Sequence, residues 1–180
     1  KSDTTTSLSA ITNTYTGSAQ AASGASAKLN SNNSTISSAA FTYQYWSGTG
    51  CSGTALTSAP TNAGTYSVKA TLTGTANYNS STSSCVTYTM NRKTVTFPSC
   101  TSKAYTAASQ TLFAAHTSGE YTNSAISGTN VGDYTGSLTP SANYQWSSGS
   151  NVTSARDLTC SITKSNTTTT ASAVSQTYTS

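Results

Sequence analysis

The opening seventeen residues of this chain return at its end. Residues 1–17 (KSDTTTSLSAITNTYTG) and 164–180 (KSNTTTTASAVSQTYTS) are identical at ten positions, and most of the other pairs are conservative replacements. A repeat constrains a fold strongly, because every copy must be able to form the same local structure. The period is 163 residues (164 minus 1), so the chain holds one whole repeat and the beginning of another.

Shorter motifs recur inside this repeat, in the same order in each half. YTGSAQ (15–20) returns as YTAASQ (105–110), TNAGTY (61–66) as TNVGDY (129–134), and ANYN (76–79) as ANYQ (142–145). This shared order indicates two homologous modules. We expect a first module at 1–92, a second at 93–163, and at 164–180 the opening strand of a next repeat.

Hydrophobic and polar residues alternate in several short stretches bounded by Gly, Asn, Ser and Pro. FTYQYW (41–46), TYSVKATL (65–72) and TVTFP (94–98) all show this period of two, which is typical of strands in antiparallel sheets. Ser and Thr make up roughly two-fifths of the chain, a composition that favours strands over helix. The sequence predicts an all-β chain with two tandem β-sandwich-type modules, whose cores are thin because only 34% of the residues are hydrophobic.

Four cysteines fall two and two into the predicted modules. Three pairings are formally open, and pairing Cys51 with Cys85 and Cys100 with Cys160 would let each module fold alone. The spacings match no zinc signature, since there is no Cys-x-x-Cys and only one histidine. Disulfides therefore predict an oxidising location outside the cytosol.

PTNAGTYSVKATLTGTANYNSSTS (60–83) resembles the bacterial Ig-like repeat modules, including the type called MBG. The resemblance lies in an Ala-Gly-x-Tyr-x-Val strand (63–68) followed by a turn that carries Gly74 and the pair Asn77-Tyr78. TNVGDYTGSLTPSANYQWSSG (129–149) is similar to a variant of the same module. The resemblance implies tandem Ig-like β modules of a secreted or cell-surface bacterial protein, such as a stalk, a fibre or an adhesin shaft, without catalytic residues.

Charge and composition argue against several other classes of function. Charged residues are 7% of the chain, and its eight cations are scattered, so no nucleic-acid surface is predicted. Four acidic residues are too few for a calcium site or an opposed pair of catalytic carboxylates. No apolar stretch is long enough for a membrane span. We expect no enzymatic activity, no metal and no cofactor.

The sequence thus predicts a structural repeat unit of an extracellular bacterial fibre, stalk or filament. Its partners would be copies of itself, joined head to tail through 164–180, either as covalent tandem repeats or by addition of that strand to a neighbouring subunit. The candidate residues of this inter-unit strand are Thr167, Thr169, Ala171, Ala173, Val174 and Tyr178.

An alternative prediction is an adhesin module that binds host glycan or mucin. Aromatic rings suit stacking against sugars, and Trp46 and Trp146 stand on the opposite strand parity from their neighbours Tyr45 and Gln145. The same rings could instead fill the core, where aromatic side chains contribute large buried areas. Exposure of the two tryptophans distinguishes these two interpretations.

Overall fold

The structure is a computed structural model that describes residues 1–117, 119–149 and 152–178. The chain is all-β, with 43% of its residues in strands and no helix in the described part. It divides into two compact units, one formed by Lys1–Phe97 and Pro140–Ser154 and the other by Pro98–Thr139 and Ala155–Ser180. The strands are β1 (Thr4–Ser7), β2 (Ile11–Thr14), β3 (Ser26–Leu29), β4 (Phe41–Ser47), β5 (Gly64–Leu72), β6 (Ser81–Thr82), β7 (Val86–Asn91), β8 (Lys93–Val95), β9 (Lys103–Ala104), β10 (Gln110–Phe113), β11 (Tyr121–Thr122), β12 (Ile126–Gly128), β13 (Gly132–Pro140), β14 (Tyr144–Trp146) and β15 (Arg156–Thr163).

Unit 1 is organised by a sheet with the strand order β2-β7-β5-β4, to which β6 adds along β5. The long strand β5 runs antiparallel to β4 and β7, and β2 runs parallel to β7 with Ile11 opposite Tyr88. β1 and β3 form a separate antiparallel pair, and β8 and β14 form a parallel pair. β2, which comes first along the chain among the strands of this sheet, therefore lies next to β7, which comes last.

The core of unit 1 lies on one face of this sheet. Val68, Ala70 and Leu72 are fully buried on β5, as the alternation at 65–72 predicts. The rings of Tyr45 and Tyr88 meet edge to face with their centroids 5.9 Å apart. A few large side chains thus fill the thin core that the low hydrophobic content predicts.

Both core tyrosines have hydrogen-bonded hydroxyl groups. The hydroxyl of Tyr45 accepts a bond from the backbone N–H of Ala22 (2.7 Å). The hydroxyl of Tyr88 accepts one from the side-chain amide of Asn13 (2.9 Å) and donates to the carbonyl of Gln20 (2.7 Å). Burial raises the pKa of both phenols above 10.0. The hydrogen bonds that Ala22 and Asn13 donate to the phenol oxygens lower the pKa by a smaller amount.

Unit 2 uses a similar arrangement of strands. Its main sheet has the order β11-β13-β15-β9, in which β13 is antiparallel to β15 and β9 is parallel to β15. β10 and β12 form a separate antiparallel pair. The buried hydrophobic side chains of this unit belong to Leu112, Ile126, Leu138, Leu158, Cys160 and Ile162.

Each unit contains one disulfide. Cys51 bonds to Cys85 in unit 1 and Cys100 bonds to Cys160 in unit 2, with Cα–Cα distances of 5.9 and 5.3 Å. These are the pairs expected from the sequence. Two disulfides point to an oxidising, extracellular environment. In the described part of the chain, no helix is long and apolar enough to cross a membrane.

The compact units differ from the predicted modules in two segments. Residues 93–97 and 140–154, which the sequence motifs place in the second module, belong to unit 1. The reason is that residues 142–144 contact Tyr15, Asn62, Ala63 and Arg92, and that β14 pairs with β8, which follows Arg92. The boundaries 1–92 and 93–163, as units of repetition, stay a prediction.

Removing the disulfide of unit 1 should destabilise that unit selectively. Replacing Cys51 and Cys85 together by Ala should lower the free energy of unfolding of unit 1 by about 3 to 4 kcal/mol, because the denatured chain loses a closed loop. Both tryptophans lie in unit 1, so their fluorescence during urea unfolding reports on it. The matched variant, Cys100→Ala with Cys160→Ala, should leave this fluorescence transition in place. An unchanged transition in the first variant would contradict the expectation.

Unit 1 should also lose stability at alkaline pH. Below pH 10 both phenols are neutral in the folded and unfolded chains. Above pH 10 the unfolded chain ionises first, because burial raises the folded-state pKa, so stability falls as the pH rises towards the folded-state pKa. Urea unfolding between pH 8 and 11 measures this slope. The double variant Tyr45→Phe with Tyr88→Phe should flatten it, and an equally steep slope in that variant would show that other groups are responsible.

Candidate assembly site

Residues 164–178 pair with no strand in the described part of the chain. Residues 164–178 form no strand and are exposed throughout, with Val174 87% and Tyr178 91% exposed. The strand predicted at 164–180 is therefore not formed in the single chain over these described residues, and residues 179–180 lie outside them. Residues 1–17, which have the matching sequence, pair with β3 and β7.

β1 is held in its place by buried hydroxyl groups. Thr4 and Thr6 are almost fully buried. The hydroxyl oxygen of Thr4 lies within hydrogen-bond distance of the carbonyl of Asn79 (3.0 Å) and of the hydroxyl of Ser81 (2.8 Å). The hydroxyl of Thr6 contacts the same Ser81 hydroxyl (2.7 Å) and its carbonyl (3.2 Å). The positions therefore select residues that combine a small size with a hydroxyl.

β2 and the residues before it are held by the hydrophobic core. Leu8 and Ile11 pack against the buried cluster that contains Val68, Tyr88 and Met90. Thr12, next to Ile11 on the strand, points the other way and is exposed. β2 pairs with one neighbour only, so it is an edge strand whose removal leaves the rest of the sheet paired.

Most of the predicted inter-unit residues match positions of 1–17 that make contacts. Thr167 and Thr169 correspond to the buried Thr4 and Thr6, and Val174 to Ile11. Ala173 corresponds to Ala10, which is exposed. The remaining matches are Ala171 to Leu8, Tyr178 to Tyr15, and Gln176 to Asn13, the last of which sequence reasoning overlooked.

A second set of contacts surrounds the recurring Asn-Tyr turn at 142–145. The Asn143 side chain accepts a hydrogen bond from the backbone N–H of Ala63 (2.8 Å) and donates one to the side-chain oxygen of Asn62 (3.0 Å). Its own carbonyl accepts a bond from the N–H of Lys93 (2.9 Å). The TNAG turn at 61–64 thus binds the ANYQ turn at 142–145, inside unit 1.

Two further contacts involve the same turn at 142–145. The ring of Tyr15 meets the ring of Tyr144 edge to face, with centroids 5.5 Å apart. The guanidinium Nε of Arg92 donates to the carbonyl of Ala142 (2.9 Å). We define the joint residues as Tyr15, Asn62, Ala63, Arg92, Ala142, Asn143 and Tyr144. Sequence reasoning did not single out Asn62 and Asn143, although both stand in motifs that recur.

The structure corrects the alternative interpretation of the two tryptophans. Trp146 is fully buried under the ring of Phe97, and its indole N–H donates to the carbonyl of Ser154 (3.0 Å). Trp46 is only 9% exposed, and the Lys69 ammonium lies 6.0 Å from its ring centroid. A sugar needs an open ring face to stack on, so neither side chain offers a glycan platform in this structure.

The remaining polar cluster of note surrounds the histidine. His116 lies against the rings of Phe113 and Tyr121, and its Nδ1 is 3.1 Å from the Asn123 side-chain oxygen. In residues 1–117, 119–149 and 152–178, no group of three or more His, Cys, Asp or Glu side chains could hold a metal ion. The contacts of 1–17 and of the joint are therefore the candidate functional features.

The Asn143 side chain should stabilise unit 1 measurably. Asn143→Ala removes two hydrogen bonds and should lower the free energy of unfolding by about 1 to 2 kcal/mol. The control is Asn77→Ala, at the equivalent position of the first ANY motif, where the residue is exposed and a change under about 0.5 kcal/mol is expected. Urea unfolding followed by tryptophan fluorescence measures both. Equal effects of the two substitutions would contradict the role given to Asn143.

Searches of protein-family models, of curated proteins and of solved structures found no match to this chain.

Proposed function

We propose that this chain is a structural repeat unit of an extracellular bacterial fibre, stalk or filament, in which units join head to tail through 164–180. The observation that carries the proposal is the exposed segment 164–178, whose sequence matches the segment that β1 and β2 occupy in unit 1. The two disulfides support an oxidising, extracellular location. The resemblance to MBG-type Ig-like modules supports the bacterial cell-surface assignment.

The joining step is the formation of β1 and β2 in the next unit. Thr167 and Thr169 take the buried hydroxyl positions, and Val174 takes the place of Ile11 against the hydrophobic core. A segment that is exposed alone and buried when it pairs gains hydrophobic and hydrogen-bond stabilisation only on assembly. The unit needs no chemical reaction for this, which agrees with a structural and non-enzymatic role.

Two modes of joining use the same contacts. In a covalent array, 164–180 is the opening strand pair of the next repeat in the same polypeptide. In a filament of separate subunits, it displaces residues 1–17 of a neighbour, as an added strand. Both modes give a head-to-tail arrangement, because the contact joins two different surfaces of the unit and does not close on itself.

The glycan-binding alternative now has weaker support. It depended on exposed aromatic rings, and the two tryptophans that it named are buried. A structural role has a specific observation in its favour and the adhesin role has none, so the structural role is the proposal.

Self-association of the 180-residue chain tests strand addition between subunits. Val174→Asp should weaken self-association at least about tenfold, because a carboxylate would enter the hydrophobic core position of Ile11. The matched control, Ser175→Asp, places the same charge on the adjacent residue, whose counterpart Thr12 is exposed, and should have little effect. Sedimentation velocity over a range of concentrations measures both variants.

Deletion of 164–180 should abolish self-association and leave both disulfides intact, which mass measurement under non-reducing conditions checks. Assembly that survives the deletion would refute joining through this segment. A wild-type chain that stays monomeric at all concentrations would refute strand addition and leave covalent tandem repeats as the mode of joining.

A further inference from the structure

We propose that a surface of unit 2, formed by Tyr105, Asn130 and Val131, binds the ANYN turn (76–79) of the following repeat. This inference deepens the proposed function and rests on it, since it names the second contact between consecutive units. The occupant is a second copy of this chain's own 76–79 turn, either in the same polypeptide or in a neighbouring subunit. The argument comes from the joint in unit 1, where the equivalent residues make the equivalent contact.

The sequence motifs assign the equivalent positions. Tyr105 in YTAASQ corresponds to Tyr15 in YTGSAQ, and Asn130 and Val131 in TNVGDY correspond to Asn62 and Ala63 in TNAGTY. In unit 1, Tyr15, Asn62 and Ala63 contact the second ANY motif at Asn143 and Tyr144. The first ANY motif, at 76–79, carries Asn77 and Tyr78 at the same places.

The backbone positions these residues in the same way in both units. The N–H of Tyr15 donates to the carbonyl of Asn91, and the N–H of Tyr105 donates to that of Thr163, both at 2.9 Å. The Tyr66 hydroxyl donates to the carbonyl of Asn62, and the Tyr134 hydroxyl donates to that of Asn130, again both at 2.9 Å. These hydrogen bonds therefore hold Tyr105 and Asn130 of unit 2 as they hold Tyr15 and Asn62 of unit 1.

Exposure distinguishes the two sites. Among the described residues, four large hydrophobic side chains are exposed: Tyr105 (38%), Val131 (47%), Val174 (87%) and Tyr178 (91%). Two of these belong to the proposed surface and two to the segment that joins the units. In unit 1, by contrast, the equivalent Tyr15 and Ala63 are partly buried. Exposed apolar side chains that gather at equivalent positions indicate an interaction surface.

The connection to the next repeat has the right length. In unit 1, β7 ends at Asn91, a single residue (Arg92) follows, and then the Lys93 N–H donates to the carbonyl of Asn143. β15 ends at Thr163, Lys164 follows, and Ser165 corresponds to Ser2. The Ser2 N–H donates to the carbonyl of Asn77 (3.0 Å). A strand that begins at Ser165 therefore brings the 76–79 turn of its repeat to unit 2 through a link of the same length.

We expect the surface of unit 2 to make the same contacts with the 76–79 turn that the joint residues make in unit 1. The Asn77 side chain of the next repeat accepts from the Val131 N–H and donates to the Asn130 side-chain oxygen, and the ring of Tyr78 packs on that of Tyr105. The Lys164 ammonium has the position of Arg92 and donates to the carbonyl of Ala76. The Val131 N–H is the most direct reporter, because its counterpart on Ala63 is bonded to Asn143 at 2.8 Å.

Amide hydrogen exchange tests the proposal. We compare the 180-residue chain, at a concentration at which it is monomeric, with a fused chain in which residues 1–163 are followed by a complete second copy, so that 1–17 of the second copy stand in place of 164–180. With isotopic label confined to the first copy, exchange of its Val131 amide should be at least about tenfold slower in the fused chain. The Ala63 amide should be protected in both chains.

A substitution in the second copy alone identifies the occupant. Asn77→Ala in the second copy should return Val131 exchange in the first copy to its rate in the single chain. As a matched control, Ala115→Asp in the first copy, at an exposed position of unit 2 outside the surface, should leave the protection in place. Val131 exchange that is equally fast in both chains would overturn the proposal, provided that a second sample, labelled only in the second copy, shows a protected Ala63 amide and hence a folded second copy.

The outcomes separate this inference from the proposed function. Self-association through 164–180 without protection of Val131 would leave the proposed function intact and refute the surface. Protection of Val131 in the fused chain, combined with a monomeric single chain, would support the surface in a covalent array.

Discussion

The parallel contact between the opening strand and the last strand of each sheet is the constraint on which the rest of the structure depends. β2 lies beside β7, and β9 lies beside β15, in both cases at an edge. Parallel neighbours run in the same direction, so they cannot be joined by a hairpin and the other strands must connect them. The chain therefore leaves each sheet at the opposite end from the one where the opening strand enters.

An edge strand of this kind can be exchanged without loss of the sheet. It is hydrogen-bonded on one side only, and an identical segment from elsewhere can form the same bonds. In unit 1 that segment is 1–17, and the chain carries a near copy of it at 164–180. The exposed state of 164–178 agrees with a sheet that has one place for two equivalent segments.

Hydroxyl groups and disulfides compensate for a small hydrophobic core. Thr4, Thr6, Ser67 and Ser83 are buried, and each has a hydrogen-bond partner, such as the Cys51 N–H for the Ser67 hydroxyl (3.0 Å). In the part of the chain that the structure describes, no buried side-chain nitrogen or oxygen lacks a partner. A buried polar group that is fully bonded costs little, so a Ser- and Thr-rich chain can still form a specific interior.

Local patterns were sufficient for the all-β class, for the strand over 65–72 and for the two cysteine pairs, since alternation and spacing are properties of neighbouring residues. Alternation failed at Trp46, because Tyr45 and Trp46 are consecutive and both buried. A period of two describes a strand that is covered on one face, whereas here the second face of β4 is also covered near its end. The sequence could not indicate this cover.

The repeated motifs also marked the candidate assembly site without explaining its contacts. They marked 164–180, TNAG and ANYQ as equivalent to other segments, because a repeat can be recognised from the amino-acid sequence alone. That Asn143 binds Asn62 and Ala63, and that residues 140–154 join unit 1, follows from contacts between residues about 80 positions apart. Such contacts depend on how strands pair in space, where register and parallel order are chosen by the packing of the whole unit and not by any local preference.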